Sequence, residues 1–163
     1  GGVDDLPAGY VDSLRHLGFA RFRGFLKGVI DLVFRWRSSG GPGDARWYVV
    51  DYKSNRLLAG PDQERSLYGD YTPARLDLAM ARHDYVLQAH LYAVAVHRHL
   101  AWRLGGRYDY DRDFGGTCYL FVRGMQGKDP IGDTGVYRNR PPLRRIRALS
   151  DLLGAPPRPG EGT

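Results

Sequence analysis

Apolar and basic residues alternate from Phe19 to Phe25, the period-2 pattern of a half-buried strand. Gly28–Trp36 (GVIDLVFRW) is β-branched and aromatic and predicts a second strand. The Gly-, Ser- and Pro-dense Ser38–Asp44 fits only a turn or loop. Arg46–Ser54 (RWYVVDYKS) predicts a third strand, so that residues 28–54 form a hairpin with a long tip. Leu57–Thr72 is polar and punctuated by Gly and Pro, as a surface connection is. From about Pro73 to Leu104 the apolar residues Leu76, Met80, Leu87, Leu91, Val94 and Ala95 recur at helical spacing. Pro73 suits a first helical turn and Gly105-Gly106 a stop. The stretch fits one long helix or two joined near His83-Asp84. Thr117–Arg123 predicts a further strand, Gly135–Arg138 a short one, and Leu143–Leu153 a closing helix. Residues 1–18 form a lead-in with a helical turn around Val11–Leu17. Residues 154–163 are a Pro/Gly tail expected to be disordered. No internal repeat or second domain boundary appears. The order β-β-β-α-β-α therefore implies one α/β domain over residues 19–153, a mixed central sheet flanked by helices.

The composition agrees. Over 163 residues, 42% hydrophobic and 26% charged positions describe an ordinary soluble domain with one sizeable core. No run approaches the ~18 apolar residues of a membrane-spanning helix. The opening Gly1-Gly2-Val3-Asp4-Asp5 has neither the basic start nor the apolar run of a signal peptide. It also lacks an initiator Met, as a processed chain or a fragment of a longer one does. Cys118, the one cysteine, reads as a small buried hydrophobe; a chain without disulfides fits the reducing cytoplasm.

A net charge of +6 suits a polyanionic partner. Arg138, Arg140, Arg144, Arg145 and Arg147 crowd one short segment. Charge alone leaves a solvated helix face and a phosphate-binding surface equally open there.

Asp31 is flanked in GVIDLVF by residues that a sheet buries, where an ionised carboxylate is costly without a compensating cation. Asp51 repeats the anomaly in WYVVDYK. Strand alternation aims Asp51 and Lys53 the same way, about 6–7 Å apart, with Val50 and Tyr52 facing the core. If the two strands pair, Asp31 and Asp51 converge. Carboxylate oxygens suit Mg²⁺, which acidifies its water and neutralises charge developing on a phosphodiester. Lys53 then orients the water or stabilises the transition state. An isolated Asp-x-Lys is more often a structural ion pair.

The wider context shifts that balance. GVID followed, after a hairpin-sized gap, by VVDYKSN resembles the PD-(D/E)XK nuclease superfamily. The linked blocks GFLKGVIDLVF, WYVVDYKSN, YVLQAHLYAVAVHRHL, FGGTCYLFVRGM and GVYRNRPP resemble the C-terminal nuclease domain of the RecB family, the beta subunit of exodeoxyribonuclease V. The likeness runs from about Phe19 to Leu153. It implies a metal-dependent DNA nuclease, acting in double-strand-break processing and recombination, with Asp31 and Asp51 as Mg²⁺ ligands, Lys53 as a catalytic residue and the Tyr52 backbone carbonyl as a further ligand. Gln88 and Tyr92 match the family's Gln-x-x-x-Tyr signature, which implies a role at the DNA strand or the metal. Without the resemblance they read as an exposed polar residue and a core aromatic. The resemblance also implies unwound DNA as substrate, RecC-like and RecD-like partner subunits, and a helicase domain in the parent chain. No P-loop motif occurs in this sequence.

Two departures stand out. Ile30 replaces the superfamily's Pro before the first Asp. The family's metal-ligating His lies on a helix well upstream, which this chain begins too late to contain, and the surroundings of His16 do not match it. His83, His90, His97 and His99 read as helix-surface or DNA-facing residues, since their seven-residue spacings are not those of a zinc site. The alternative to a nuclease is a catalytically incomplete nuclease fold that binds DNA or a partner subunit. A basic scaffold with ordinary ion pairs is a third possibility.

Overall fold

The computed structural model of the chain describes residues 6–7, 9–15, 27–37, 45–58, 60, 63–126 and 133–154. The expected Phe19–Phe25 strand, the Ser38–Asp44 tip, His16 and the tail from Ala155 lie outside the described residues.

After a short helix α1 (Tyr10–Arg15), the hairpin forms from β1 (Leu32–Arg37) and β2 (Ala45–Lys53). They pair antiparallel, from Leu32 opposite Val50 to Arg37 opposite Ala45. The chain then crosses over the sheet through α2 (Pro73–Arg82) and α3 (Tyr85–Leu104), passes the single turn α4 (Tyr110–Asp113), and enters β3 (Phe114–Phe121). β3 lies parallel to β2, as a helical crossover permits. β4 (Val136–Asn139) adds antiparallel to β3, and α5 (Leu143–Leu152) closes the fold. The four-stranded sheet has the order β1-β2-β3-β4.

The helical stretch is two helices. Pro73 opens α2, and the break falls at His83-Asp84, where Asp84 takes a left-handed φ of 55°. Asp tolerates that conformation better than most residues. The Asp84 carbonyl accepts from the Gln88 amide and starts α3. Gly105, also at φ 55°, ends it.

The buried stripe of α3 differs from the expected one. Val86, Ala89, His90, Ala93, Val94, Val96 and Leu100 face the sheet. Leu87, at the edge of the core, and Leu91 are only partly buried, and Ala95 is exposed.

Two apolar clusters share one face of the sheet. Near the carboxyl end of β2, Leu76, Met80 and Val86 pack on Tyr119, Phe121 and Tyr137. Further along, Ala93, Val94, Leu100 and Ile146 pack on Val49 and Phe114. Each fully buried Val, Leu, Ile, Met or Phe among them stabilises the fold by about 1.5–3 kcal/mol. Close approach is built in at Gly115, where a Cβ would lie 2.2 Å from the Tyr48 ring beside the register shift at Trp47/Tyr48.

Alternation puts Leu32, Trp36 and Tyr52 on the opposite face, where they remain exposed. Tyr52, expected in the core, is therefore 51% exposed. Cys118 is half-buried, and burial raises its thiol pKa against the pull of Arg138, which suits an unreactive thiol. No helix among the described residues is long and apolar enough to cross a membrane.

Candidate active site

β2 carries Asp51 and Lys53 on the face that α3 covers. Asp51 is 4% exposed. The Lys53 ammonium approaches Asp51 Oδ2 to 2.6 Å, but off the direction that a hydrogen bond requires. This oxygen, shut away from solvent, has no hydrogen-bond partner. The ammonium compensates the charge of this oxygen, and what is left unused is hydrogen-bonding capacity.

Asp31 sits in a bend one residue before β1, at the level of Asp51, because Leu32 pairs with Val50. Its Oδ2 accepts from the Tyr52 amide at 2.9 Å, tying the start of β1 to the end of β2. The hairpin thus sets Asp31 and Asp51 at one level of the sheet. Asp31 itself is exposed rather than held inside a buried strand. The desolvation argument therefore applies to Asp51 and fails for Asp31: a bend that ends the pairing leaves its side chain in water.

Lys53 is aimed by a chain of polar contacts. Its Nζ donates to Gln88 Oε1 at 3.0 Å, and that oxygen also accepts from the Tyr119 hydroxyl at 3.2 Å. Gln88 Nε2 donates to the Tyr92 hydroxyl at 3.0 Å, which in turn donates to the Val29 carbonyl at 2.5 Å. The i, i+4 pair on α3 therefore spans from Lys53 on β2 to the chain just before Asp31. Gln88 and Tyr92 are both part-buried, neither plain surface nor plain core.

Sequence reasoning missed an aromatic clamp. Lys53 Nζ lies 3.8 Å from the centre of the Tyr85 ring and 5.3 Å from that of Tyr119, within cation–π range. Burial, followed by the nearby Asp51 carboxylate, raises the Tyr119 pKa, keeping its hydroxyl a donor to Gln88. The signal was available in part, since Tyr85 precedes Gln88 by three residues and so shares its helix face.

Among the described residues no group of three or more His, Cys, Asp or Glu side chains could hold a metal ion. Two carboxylates stand at one level of the hairpin, and one of them has a buried oxygen outside any hydrogen bond. That donor set suits a small hard cation, which takes one or two carboxylates and keeps its waters. The histidines stand apart. His90, expected on a surface, is buried, with Nδ1 2.7 Å from the Val86 carbonyl and Nε2 3.3 Å from Arg145 Nη1. His97 Nδ1 meets the Tyr108 hydroxyl at 2.9 Å, and burial lowers its pKa. His83 stacks on Tyr85, and His99 lies against Trp102.

The arginine cluster divides. Arg140 is tied to the Phe114 carbonyl and to Asp111, Arg138 to Asp133, and Arg145 to His90. Arg144 and Arg147 are exposed on α5. Closer to the site, Arg123 donates to the Ser54 carbonyl at 2.8 Å, and Lys27 is exposed.

No protein-family model matches the chain. Curated relatives do. The chain is 42% identical over 159 residues to the RecBCD enzyme subunit RecB of Mycolicibacterium smegmatis, covering 94% of this chain and 14% of that protein. For RecB of Mycobacterium tuberculosis the figures are 43% over 158 residues, 92% and 13%. For RecB of Escherichia coli they are 40% over 137 residues, 84% and 10%. The chain thus spans only 10–14% of the length of these relatives. The mixed sheet with its helices is compatible with a PD-(D/E)XK nuclease core, and with these identities the chain belongs to the RecB family.

Proposed function

We propose that this chain is the metal-dependent deoxyribonuclease domain of a RecB-like helicase–nuclease, hydrolysing phosphodiester bonds during double-strand-break processing and recombination. The observation that carries the reading is the placing of Asp31, Asp51 and Lys53 at one end of the hairpin, with an Asp51 oxygen buried against Lys53 but outside any hydrogen bond.

In this reading Asp31 and Asp51 hold Mg²⁺, with the Tyr52 carbonyl as a third donor. Bound there, Mg²⁺ supplies an acidified water and neutralises charge on the phosphodiester. Lys53 faces the scissile phosphate and stabilises its developing negative charge. Gln88, Tyr92 and Tyr85 act through Lys53: they fix its ammonium and hold the Asp31 segment against α3. They are positioning residues rather than reacting ones.

The relatives' name makes RecB a subunit of RecBCD. For this chain it supports a place beside RecC-like and RecD-like subunits in the cytoplasm, with single strands delivered by a helicase domain of the parent chain.

The test is degradation of linear single-stranded DNA with Mg²⁺, with Mn²⁺ or with EDTA, beside Asp51→Ala. Metal-dependent cleavage that vanishes in Asp51→Ala is the expected result. No cleavage, with metal binding that depends on Asp51, would make the chain an incomplete nuclease domain. Loss of both would end the metal-site reading.

A further inference from the structure

Beyond the carboxylates, a pocket of about 180 Å³ lies between α2 and the segment that follows β2. Arg75 and Arg82 line it from α2, Arg56 from that segment, and His83 from the helix break. Arg75 and Arg82 are seven residues apart, two helical turns, and so share a helix face.

None of these three guanidinium groups makes an ion pair or hydrogen bond within the described structure. In that they differ from Arg98, Arg112, Arg123, Arg138 and Arg140, all of which are tied to carbonyls, hydroxyls or carboxylates. One carboxylate, Asp70, also lines the pocket, but its Oδ2 accepts from the Leu67 amide and Gln63 Nε2, each at 2.7 Å. It answers one of the three positive charges and leaves the pocket cationic.

The pocket adjoins the candidate active site. Arg56 lies three residues beyond Lys53, which limits their backbone separation to roughly 10 Å. Those residues are pinned: Arg123 holds the Ser54 carbonyl, Tyr71 the Asn55 carbonyl and Tyr85 the Asn55 side chain. The Tyr85 ring stacks on His83 at 5.3 Å and covers Lys53 at 3.8 Å, so one ring links the two sites.

We infer that Arg56, Arg75, Arg82 and His83 form a binding site for a backbone phosphate of the DNA strand engaged at Asp51 and Lys53. The inference rests on the nuclease reading for the identity of the strand, and on the pocket alone for its anion chemistry. Exposed Leu58 and Leu78, which also line the pocket, offer apolar surface to the sugar beside that phosphate. Guanidinium groups recognise phosphate by bidentate hydrogen bonds and by releasing its counterions.

The test is binding of a twelve-nucleotide oligothymidylate to the whole chain in EDTA, where metal-dependent cleavage cannot intervene. Arg75→Gln/Arg82→Gln is compared with Arg103→Gln/Arg107→Gln, a charge-matched pair in the last turn of α3 and the turn just after it. The pocket variant is expected to bind about tenfold more weakly and to lose about 0.7 from the salt slope, one single-strand phosphate. The control is expected to lose no more than about twofold from general electrostatics. Arg56→Gln, on the opposite wall, repeats the effect if α2 tolerates substitution poorly. Equal losses in pocket and control variants, or no loss in either, would overturn the inference. Failure of the nuclease reading looks different: no metal-dependent cleavage by the unaltered chain, with pocket-dependent binding intact.

Discussion

Asp51 and Asp113 are buried to nearly the same degree, at 4% and 7% exposure, yet the fold treats them in opposite ways. Asp113 is saturated. Arg112 grips both of its oxygens at 2.8 Å, the Asp109 amide adds a bond at 2.9 Å, and Asp109 caps the same turn through the Arg112 amide. The Arg112 hydrogen bonds hold the Asp113 pKa below the ordinary carboxylate value, against the raising effect of burial. Asp51 has a lysine close by and still keeps a solvent-shielded oxygen without a hydrogen bond. Both corners use acids, bases and tyrosines. One is a closed structural network, and the other keeps hydrogen-bonding capacity unused. An ion pair signals structure when its hydrogen-bonding capacity is used up, and signals a site when it is not.

The largest expected effect is on catalysis. Lys53→Met is expected to slow Mg²⁺-dependent cleavage by about 10²–10³-fold, the scale of losing one preorganised charge stabiliser, while metal binding persists. A rate close to that of the unaltered chain would place Lys53 in the structural class.

Stability sharpens the same comparison. Asp113→Asn is expected to cost about 1–3 kcal/mol in urea denaturation at pH 7, because Arg112 loses a charged partner. Since the folded pKa of Asp113 is lowered, its contribution is complete above the unfolded carboxylate value of about 3.9 and fades as pH falls through the folded value. The gap between the two proteins is therefore expected to close in acid. Asp51→Asn removes the charge that faces the Lys53 ammonium at 2.6 Å and is expected to cost a similar amount without metal, so the two acids separate by their response to Mg²⁺. Equal Mg²⁺ responses of Asp51→Asn and Asp113→Asn would collapse the distinction.

Smaller effects belong to the positioning residues. Gln88→Leu removes a hydrogen bond to a charged group and is expected to slow cleavage about 10–100-fold. Tyr85→Leu removes a cation–π contact and is expected to slow it about threefold to tenfold. In both, metal affinity is expected to stay unchanged, and a lowered affinity would mean that these residues act on the carboxylates instead.

Much of this was legible in the chain itself. Strand alternation in WYVVDYK set Asp51 and Lys53 on one face, and the hairpin brought Asp31 to their level. The His83-Asp84 break was visible as a possible joint, and β3 was recognisable though begun three residues late. Other features could not be read locally. α3 carries apolar residues on both sides, so periodicity could not decide whether Leu87, Leu91 and Ala95 or Val86, Ala89 and Ala93 face the sheet. Tyr52 was expected inside because the face of Val50 and Tyr52 was read as the core face, whereas α3 covers the face of Asp51 and Lys53. The clamp of Tyr85 and Tyr119 joins residues 34 positions apart across a crossover, which no local pattern encodes.

The most direct test of the open corner needs no DNA. The melting temperature of the unaltered chain and of Asp51→Asn is measured with increasing Mg²⁺ against EDTA. A cation that binds only the folded protein raises stability by mass action. The account predicts a concentration-dependent rise in the unaltered chain that is absent in Asp51→Asn. The same response in both proteins, or none in either, would contradict it.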